Sequence, residues 1–501
     1  MKSKNLLYLC LLAGFLLFIF MATISFYGPR GSDQYWYIQE TETLIQTGKP
    51  ISNIYYAGLY WREGFNEQDN YFIHHTLAHY IVFPLALFFG AYSGWIFTSV
   101  LLIILGTCML ISATYKATQS LKVAVFIGMA FLLLPITVWQ SFNILQESII
   151  AAYMCFGVWI WERSLNAATG KVFFNLLGGL FGALGVFIHP IFAVWCIAWM
   201  VKIFFEKANI RSLNLWLPVA VTLLSLIVAQ YCKNLLFPSK FFPSLSAMIS
   251  NSSMTYYFNY VIPDASVPLI WNKFVTALKA QFSIVNTSVV FFYPFNILLV
   301  LFITAVIIHF KRNKFLKLHC YILPSFLLIG YFAMISLHQN QFRYSLIITP
   351  IILASLAMAF GPLLEDKLRG VKALICIVGF FSLLIITDVY LARHIAADAR
   401  ADAAIFSQRN QSMPAASKGQ KMLLIFKSLD LSMGWALYPR PILFLPVGNL
   451  HLPASEVTIK NFSPKYVIIQ KEIDDKVEKY LPLALKEIPL APDRLFEVVY
   501  K

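Results

Sequence analysis

Carboxylates are rare near the long apolar segments of this sequence, and Asp33 is the first acidic residue along the chain. It follows the first apolar run directly, in GPRGSDQYWYI, where a carboxylate is placed to act as a base. The alternative is that Asp33 caps the helix that begins QYWYIQE, because Asp is a favoured N-cap residue. Local sequence favours the cap, and one carboxylate can serve both purposes.

Glu147 is the second candidate, in NILQESIIAAY just inside a later apolar segment. An ionisable group at that depth is costly and usually faces a cavity or a partner. A carboxylate in the first turn of a helix also interacts favourably with the helix dipole. The sequence leaves both interpretations open.

Arg343 and Tyr344 precede another apolar segment, in FRYSLIITP. A guanidinium presents paired donors that suit the oxygens of a phosphate. The alternative is an interfacial anchor, with Arg343 reaching into the headgroups and Tyr344 in the aromatic belt. The two residues by themselves favour the anchor.

Histidines form the last set, with His189 before a proline and the group His74, His75 and His79 in one segment. His75 and His79 have the spacing of a metal-binding pair on a helix, but neither an HExxH motif nor a carboxylate at matching helical spacing accompanies them. We therefore expect these histidines to lie on an amphipathic interfacial face.

The composition of this chain indicates that lipid surrounds most of it. Its 501 residues are 59% hydrophobic and 13% charged, with a mean hydropathy of +0.69, so a water-soluble surface could not hide the apolar side chains. The net charge of +15 comes from Lys and Arg in short loops between apolar segments, which argues against nucleic acid as a partner. The 7 Cys form no CxxC pair and lie in or beside apolar segments, so disulfides and thiolate metal sites are not expected.

The predicted fold is an all-α polytopic membrane protein with about 11 transmembrane helices, each of roughly 20 residues. The glycines of LLGGLFGALGVF predict close helix packing, with Gly178 and Gly182 four residues apart. The predicted spans are 5–27, 92–115, 121–138, 144–161, 173–189, 191–206, 213–232, 287–310, 318–337, 344–363 and 372–392.

Whether the apolar run 71–90 crosses the membrane determines on which side each later loop lies. If it lies flat as an interfacial or re-entrant helix, all the strongly basic loops fall on the side of the N-terminus, which is then cytoplasmic. If it crossed, every later basic loop would move outside. We therefore predict interfacial helices in the first external loop, with Asp33, Glu147, His189 and Arg343 sharing the extracytoplasmic face.

The polar tail has a different pattern. Short β-like runs at 422–426, 441–447, 466–470 and 495–500 alternate with turn residues, and 474–488 resembles a helix. We predict a transmembrane domain over 1–393 and a small extracytoplasmic α/β domain over 394–501.

In this order the segments resemble the GT-C fold membrane glycosyltransferases, the superfamily that includes protein O-mannosyltransferases, aminoarabinose transferases and oligosaccharyltransferases. The resemblance covers about the first 390 residues. It consists of an acidic residue opening the first external loop (Asp33), an amphipathic segment ending in Gly (YFIHHTLAHYIVFPLALFFG), a second acidic residue (Glu147), a glycine-rich helix before His189-Pro190, and Arg343-Tyr344 before an apolar span. His189 stands where many members carry Arg.

This resemblance implies a hexosyl- or pentosyltransferase that moves a sugar from a polyprenyl-phosphate carrier to an extracytoplasmic glycan, lipid or protein, with membrane lipid as a further partner. It implies catalytic roles for Asp33, as the base, and for Glu147. It implies that Arg343 holds the phosphate. It also implies that the residues that bind substrate are Arg343, Tyr344, His189, His74 and His75. Several members carry a second acid close to the first, which is missing here, so a divalent cation as cofactor is left open.

Other functions remain as alternatives. A lipid-linked glycan polymerase or ligase would carry its arginines in a large late external loop, whereas 338–343 is short. A polytopic transporter or flippase is disfavoured because most apolar segments lack charge and no inverted repeat is visible. A non-catalytic member of the same fold is a third alternative. The expected location is a bacterial inner membrane.

Overall fold

The computed structural model consists mainly of apolar helices, with one small sheet. It describes residues 2–24, 32–51, 54–56, 76–142, 144, 146–166, 170–189, 191–205, 213–236, 289–311, 324–328, 345–367, 371–412, 420–426, 440–447, 453–470, 481–488 and 494–499, together with the single positions 272, 275, 279, 473 and 477.

Most of the helices coincide with the apolar segments of the sequence, while α2 and α13 are more polar. They are α1 (Lys2–Ile24), α2 (Ser32–Thr47), α3 (Thr76–Thr118), α4 (Leu121–Leu132), α5 (Pro135–Phe142), α6 (Glu147–Asn166), α7 (Lys171–Gly185), α8 (Ile191–Phe205), α9 (Leu213–Leu236), α10 (Val289–Lys311), α11 (Ser345–Lys367), α12 (Val371–Ser412) and α13 (Pro453–Phe462). The predicted spans each overlap one helix of this series, with two exceptions. The span 121–138 corresponds to α4 and α5 together, and 318–337 is described only at 324–328, which are helical.

Length and composition single out the clearest membrane spans. Among the described residues, 3 helical stretches are long and apolar enough to cross a bilayer alone, namely Leu77–Thr118, Leu213–Cys232 and Ile375–His394, and the pair α4 and α5 could add a fourth. The total of about eleven crossings stays a prediction.

Large apolar side chains cover the outer surface of the described helices. Phe88 is 81% exposed and Leu213 is 74% exposed, and many Leu, Ile and Phe side chains along the same helices are similar. Water would solvate such continuous apolar faces poorly, whereas lipid tails solvate them well. The chain is therefore an integral membrane protein, as its composition predicted.

Gly90 interrupts α3 with a backbone conformation of φ 81° and ψ 160° that side chains rarely allow. It separates residues 76–89 from 91–118, which is the boundary that the sequence places between the run 71–90 and the span 92–115. That the first part lies flat on the membrane stays a prediction.

The predicted span 121–138 is wrong as a single helix. It consists of α4 and α5, whose axes differ by 52°. The bend follows from Pro135, because proline has no N–H for the helical ladder and its ring disfavours the helical conformation of the residue before it. After the bend, α5 carries the polar residues Gln140 and Ser141 towards the loop before α6.

Six strands form the sheet, in the spatial order β1-β3-β2-β4-β6-β5. They are β1 (Ile54–Tyr56), β2 (Met422–Phe426), β3 (Ile442–Pro446), β4 (Tyr466–Ile469), β5 (Leu485–Ile488) and β6 (Arg494–Val498). Strands β1, β3, β2 and β4 are parallel to one another, while β6 is antiparallel to both β4 and β5.

The four predicted β-like runs are confirmed as β2, β3, β4 and β6. The predicted helix over 474–488 is wrong where Leu485–Ile488 form β5, which pairs with β6. The short helix α13 was not predicted. Its Ile459 and Phe462 pack into the apolar core formed by the sheet.

Strand β1 comes from the segment between α2 and α3, which the sequence analysis predicts to be external. Its Tyr55 pairs in register with Leu443 of β3, so the sheet joins residues separated by most of the chain. By contacts the chain divides into two compact units, one of Met1–Phe26, Ile96–Leu235 and Met254–His394, the other of Tyr27–Trp95, Leu236–Ser253 and Ile395–Lys501. The predicted domains 1–393 and 394–501 stay a proposal.

Candidate active site

Asp33 is the second residue of α2 and lies in its first turn. The helix predicted to begin QYWYIQE is therefore confirmed, and it begins at Ser32. The interpretation of Asp33 as the N-cap of this helix is therefore wrong, because the N-cap residue precedes the first helical residue. The role of Asp33 as a base stays a prediction.

Glu147 is the first residue of α6 and is only 1% exposed. A carboxylate that acted only on the helix dipole would gain nothing from this burial, which removes it from solvent at a large cost. The structure therefore favours the interpretation of a carboxylate that faces a partner or a cavity.

The path of the chain shows where α6 begins. The turn at Gln119 and Ser120 joins α3 to α4, and α4 and α5 then lead away from that turn. Helix α6 starts beside the end of α5, because the Ser148 hydroxyl donates to Gln140 O at 2.7 Å. It passes close to α3, where a Cβ atom added to Gly106 would lie 3.0 Å from the Cα atom of Ala152. The start of α6 therefore lies at the end of this helix bundle opposite the α3–α4 turn.

Helix α11 begins at the same end. Its Gly361 lies against Thr118, at the α3–α4 turn, and Ser345 is 16 residues earlier, or about 24 Å along the helix axis. Since α11 packs against α4, α5 and α6, this distance brings Ser345 to the level of the α6 start. Arg343 and Tyr344 lie outside the described residues, directly before this helix.

Buried polar side chains concentrate at this end. They are Thr137, Gln140, Ser141, Gln146, Glu147, Ser148 and Ser345, each at most 4% exposed. Two of them have hydroxyls that bind main-chain oxygens: Ser141 donates to Thr137 at 2.7 Å, and Ser148 donates to Gln140 at 2.7 Å. The second bond ties α5 to the residue next to Glu147.

Several atoms of this cluster have no hydrogen-bond partner within the described part of the chain. They are both side-chain atoms of the Gln140 carboxamide, the hydroxyls of Thr137 and Ser345, and Oε1 of Gln146. Buried polar atoms are rarely left in this state in folded proteins, so each needs an explanation.

His189 shapes the turn between α7 and α8. Its main-chain N–H donates to Gly185 O at 2.8 Å, and its Nδ1 accepts the main-chain N–H of Ile191 at 3.1 Å. An accepting Nδ1 carries no hydrogen, so the neutral ring has its hydrogen on Nε2. The predicted contribution of His189 to substrate binding stays a prediction.

The substrate-binding candidates His74 and His75 also lie outside the described residues. Among the residues that are described, no group of three or more His, Cys, Asp or Glu side chains is arranged to hold a metal ion.

A second buried polar network, in α2 and α3, was not predicted. Glu40 Oε2 lies 2.7 Å from His79 Nε2, and Thr41 Oγ1 lies 2.9 Å from His79 Nδ1. Trp95 Nε1 donates to Thr41 Oγ1 at 2.8 Å, and the Thr41 hydroxyl lies 2.7 Å from Tyr37 O. Glu40 is 1% exposed and His79 is fully buried.

The predicted interfacial face is therefore wrong for His79. Its ring packs against the rings of Tyr37 and Trp95, with centroids 5.7 Å and 5.5 Å away. The carboxylate companion is Glu40, which comes from α2 and not from the helix that carries His79. Helical spacing around His79 could not show this partner.

Asp388 is another polar residue that the sequence analysis did not single out. It lies within the apolar stretch Ile375–His394 and is 3% exposed. Its place in an apolar span was the available signal, because buried ionisable groups in membrane segments usually have a function.

Comparison with solved structures identifies the architecture. The crystal structure of ArnT from Cupriavidus metallidurans in the apo state is similar over 99% of this chain and 98% of that chain, with a TM-score of 0.56 and 13% identity. The structure of the same enzyme bound to undecaprenyl phosphate is similar over the same shares, with a TM-score of 0.53 and 12% identity. The chain has the GT-C fold.

An archaeal GT-C enzyme shows the same likeness. The Archaeoglobus fulgidus oligosaccharyltransferase, tethered with an acceptor peptide, is similar over 97% of this chain and 74% of that chain, with a TM-score of 0.53 and 12% identity. No protein-family model matches the sequence, and no curated protein matches it significantly. The GT-C likeness to ArnT also includes the tail, which lies beyond the residues that carry the resemblance in sequence.

Proposed function

We propose that this protein is a glycosyltransferase that moves a sugar from a polyprenyl-phosphate carrier to a glycan, lipid or protein acceptor on the extracytoplasmic side of a bacterial inner membrane. The observation that carries the proposal is the fold shared over 99% of the chain with ArnT, an aminoarabinose transferase. One of the ArnT structures contains undecaprenyl phosphate.

Transfer requires one bond to form and one to break at the anomeric carbon. The acceptor oxygen or nitrogen attacks that carbon, and the bond between the carbon and the carrier phosphate oxygen breaks with its electrons left on the phosphate. The acceptor proton must be removed as the new bond forms, which is the task of a general base. Asp33 is our candidate for that base.

The departing phosphate gains negative charge in the transition state. A fixed guanidinium stabilises this charge more than it stabilises the bound donor, which is the requirement for catalysis. Arg343, directly before the buried start of α11, is our candidate for this role. Tyr344, His189, His74 and His75 are the further candidates for substrate contacts, and Glu147 is a second catalytic candidate.

Replacement of Asp33 by Asn tests the proposal. Purified Asp33→Asn protein should still bind the radiolabelled donor lipid, but its rate of sugar transfer should fall by about 10²–10⁴-fold, as is typical when a general base is removed. Glu42→Gln is the matched control, because it neutralises another carboxylate of α2, and it should keep the wild-type rate.

Transfer at the wild-type rate by Asp33→Asn would exclude Asp33 as the base. The same assay separates the proposed function from its alternatives. A transporter or flippase would move the lipid without releasing the carrier phosphate, and a polymerase or ligase would transfer an oligosaccharide chain and not a single sugar.

A further inference from the structure

The carboxamide of Gln140 is the most unusual polar group at the start of α6. It is fully buried, and neither its oxygen nor its nitrogen has a hydrogen-bond partner among the residues that the structure describes. A carboxamide that only filled space would be better replaced by an apolar side chain of the same size, because unpaired buried polar groups destabilise a fold. This arrangement indicates that a ligand completes the site.

Neighbouring groups have the same property. Thr137 precedes Gln140 by one helical turn on α5, and its hydroxyl lacks a described partner, as do Gln146 Oε1 beside Glu147 and the Ser345 hydroxyl at the start of α11. These atoms come from three segments that converge at one end of the helix bundle. We call Thr137, Gln140, Gln146 and Ser345 the Gln140 subsite.

The chemistry of the Gln140 subsite selects one class of ligand. All four side chains are neutral, and together they offer both donors and acceptors. A phosphate offers only acceptors and is bound best by cationic side chains, which the subsite lacks. Sugar hydroxyls both donate and accept, so they can satisfy this mixed set.

We propose that the Gln140 subsite binds the hydroxyls of the sugar carried by the donor lipid and thereby selects which sugar is transferred. This inference rests on the proposed function and assigns a substrate contact that the sequence motifs do not include. The carrier phosphate binds elsewhere, so the subsite distinguishes a glycosylated carrier from a bare one.

An unpartnered hydroxyl is not by itself a sign of a ligand. Thr114 of α3 has a fully buried hydroxyl without a described partner, and it lies near the α3–α4 turn at the opposite end of the bundle. It provides a matched control for Thr137, because Thr→Val at either position removes one buried hydroxyl.

The test measures the affinity of purified protein for two kinds of probe. One is undecaprenyl phosphate, and the other is a set of its esters with glucose, galactose, mannose and 4-amino-4-deoxyarabinose. Wild type should bind one glycosylated lipid most tightly. Gln140→Leu should weaken that binding by about tenfold or more, while its affinity for undecaprenyl phosphate stays within about twofold, because the loss concerns hydrogen bonds to the sugar alone.

Two further readouts separate a binding role from a structural one. The melting temperature of ligand-free Gln140→Leu should equal or exceed that of wild type, since an unpaired polar group is replaced by an apolar one. Thr137→Val should weaken binding of the preferred glycosylated lipid, while Thr114→Val should not.

Each other result overturns a defined part of the inference. Equal loss of affinity for the glycosylated and the bare lipid would show that Gln140 contacts the carrier, and a lower melting temperature without ligand would make it a structural residue. Unchanged affinity for the preferred donor would exclude the subsite but leave the proposed function standing. A wild-type protein that binds no glycosylated lipid more tightly than undecaprenyl phosphate would contradict the donor class, and the proposed function with it.

Discussion

His79 has two ring nitrogens, and each faces an oxygen of α2. An ionised Glu40 requires a hydrogen on Nε2, because a carboxylate accepts hydrogen bonds and cannot donate one. The Thr41 hydroxyl has one hydrogen and two acceptors within reach, Tyr37 O and His79 Nδ1. Trp95 donates to the oxygen of the same hydroxyl and keeps it in place.

Removing one member of the Glu40–His79 pair should be costly, since it leaves the other buried and uncompensated. We expect Glu40→Leu and His79→Phe each to lower the free energy of unfolding by about 3–5 kcal/mol. The double variant should lose clearly less than the sum, which chemical denaturation in detergent would measure. Strictly additive losses would show that the two side chains do not stabilise each other.

Glu42 provides a comparison on the same helix, and its stability effect should depend on pH. Burial raises the pKa of the Glu42 carboxyl above its usual range. The folded state therefore binds this proton more tightly than the unfolded chain, so ionised Glu42 lowers stability at neutral pH. Glu42→Gln should raise the melting temperature at pH 7, and this gain should disappear below about pH 4, where the carboxyl is protonated in both states.

Close helix packing depends on glycine in α7. A Cβ atom added to Gly178 would collide with the indole of Trp199, which is held by a hydrogen bond of 2.8 Å from its Nε1 to Asn175 O. The Lys202 ammonium, 4.6 Å from the centroid of the same indole, also limits its movement. The prediction from sequence that Gly178 and Gly182 allow two helices to approach closely agrees with these contacts.

Gly178→Ala should therefore lower stability by about 1–3 kcal/mol through overpacking. Gly379 of α12 is the matched control, because no described residue beyond its own stretch of helix places an atom within 4 Å of the position its Cβ would take. Gly379→Ala should be neutral or stabilising by up to about 1 kcal/mol, since alanine favours helix. Thermal unfolding of both variants in one detergent would test this, and equal effects would contradict the packing argument.

Sequence patterns predicted most helices because a membrane span is encoded locally, by about 20 consecutive apolar residues. The division of one predicted span at Pro135 was also encoded locally and was missed. Strand β1 could not be predicted from the sequence, because three residues give no periodicity and its partner β3 follows almost 400 residues later. The contact between Glu40 and His79 and the unpartnered state of Gln140 depend on tertiary packing, which no local pattern records.

At the scale of the whole molecule, the sheet constrains how often the chain crosses the membrane. Strands β1 and β3 are hydrogen-bonded neighbours, so the segment between α2 and α3 and the tail must lie on one side of the bilayer. An even number of crossings must then separate them. The predicted spans from 92–115 to 372–392 satisfy this condition, and a crossing by 71–90 would violate it.

Cysteine labelling in intact cells would test this topology. In a cysteine-free background, single cysteines at the exposed positions Lys49 and Asn461 should both react with a membrane-impermeant maleimide from outside. A cysteine at Gln119, in the α3–α4 turn, should react only after permeabilisation. Labelling of Lys49 and Asn461 from opposite sides would contradict the even number of crossings.

The pairing of β1 with β3 also determines when the sheet can be completed during synthesis of the chain. A ribosome adding about 5–20 residues per second needs roughly 20 to 80 seconds to pass from the codon for Tyr56 to that for Ile442. Throughout that interval the segment that follows α2 lacks the strand beside which it will lie. A chain whose synthesis stops early can insert its helices, but it cannot complete this edge of the sheet, so the segment that contains β1 reaches its final form only after β3 has been made.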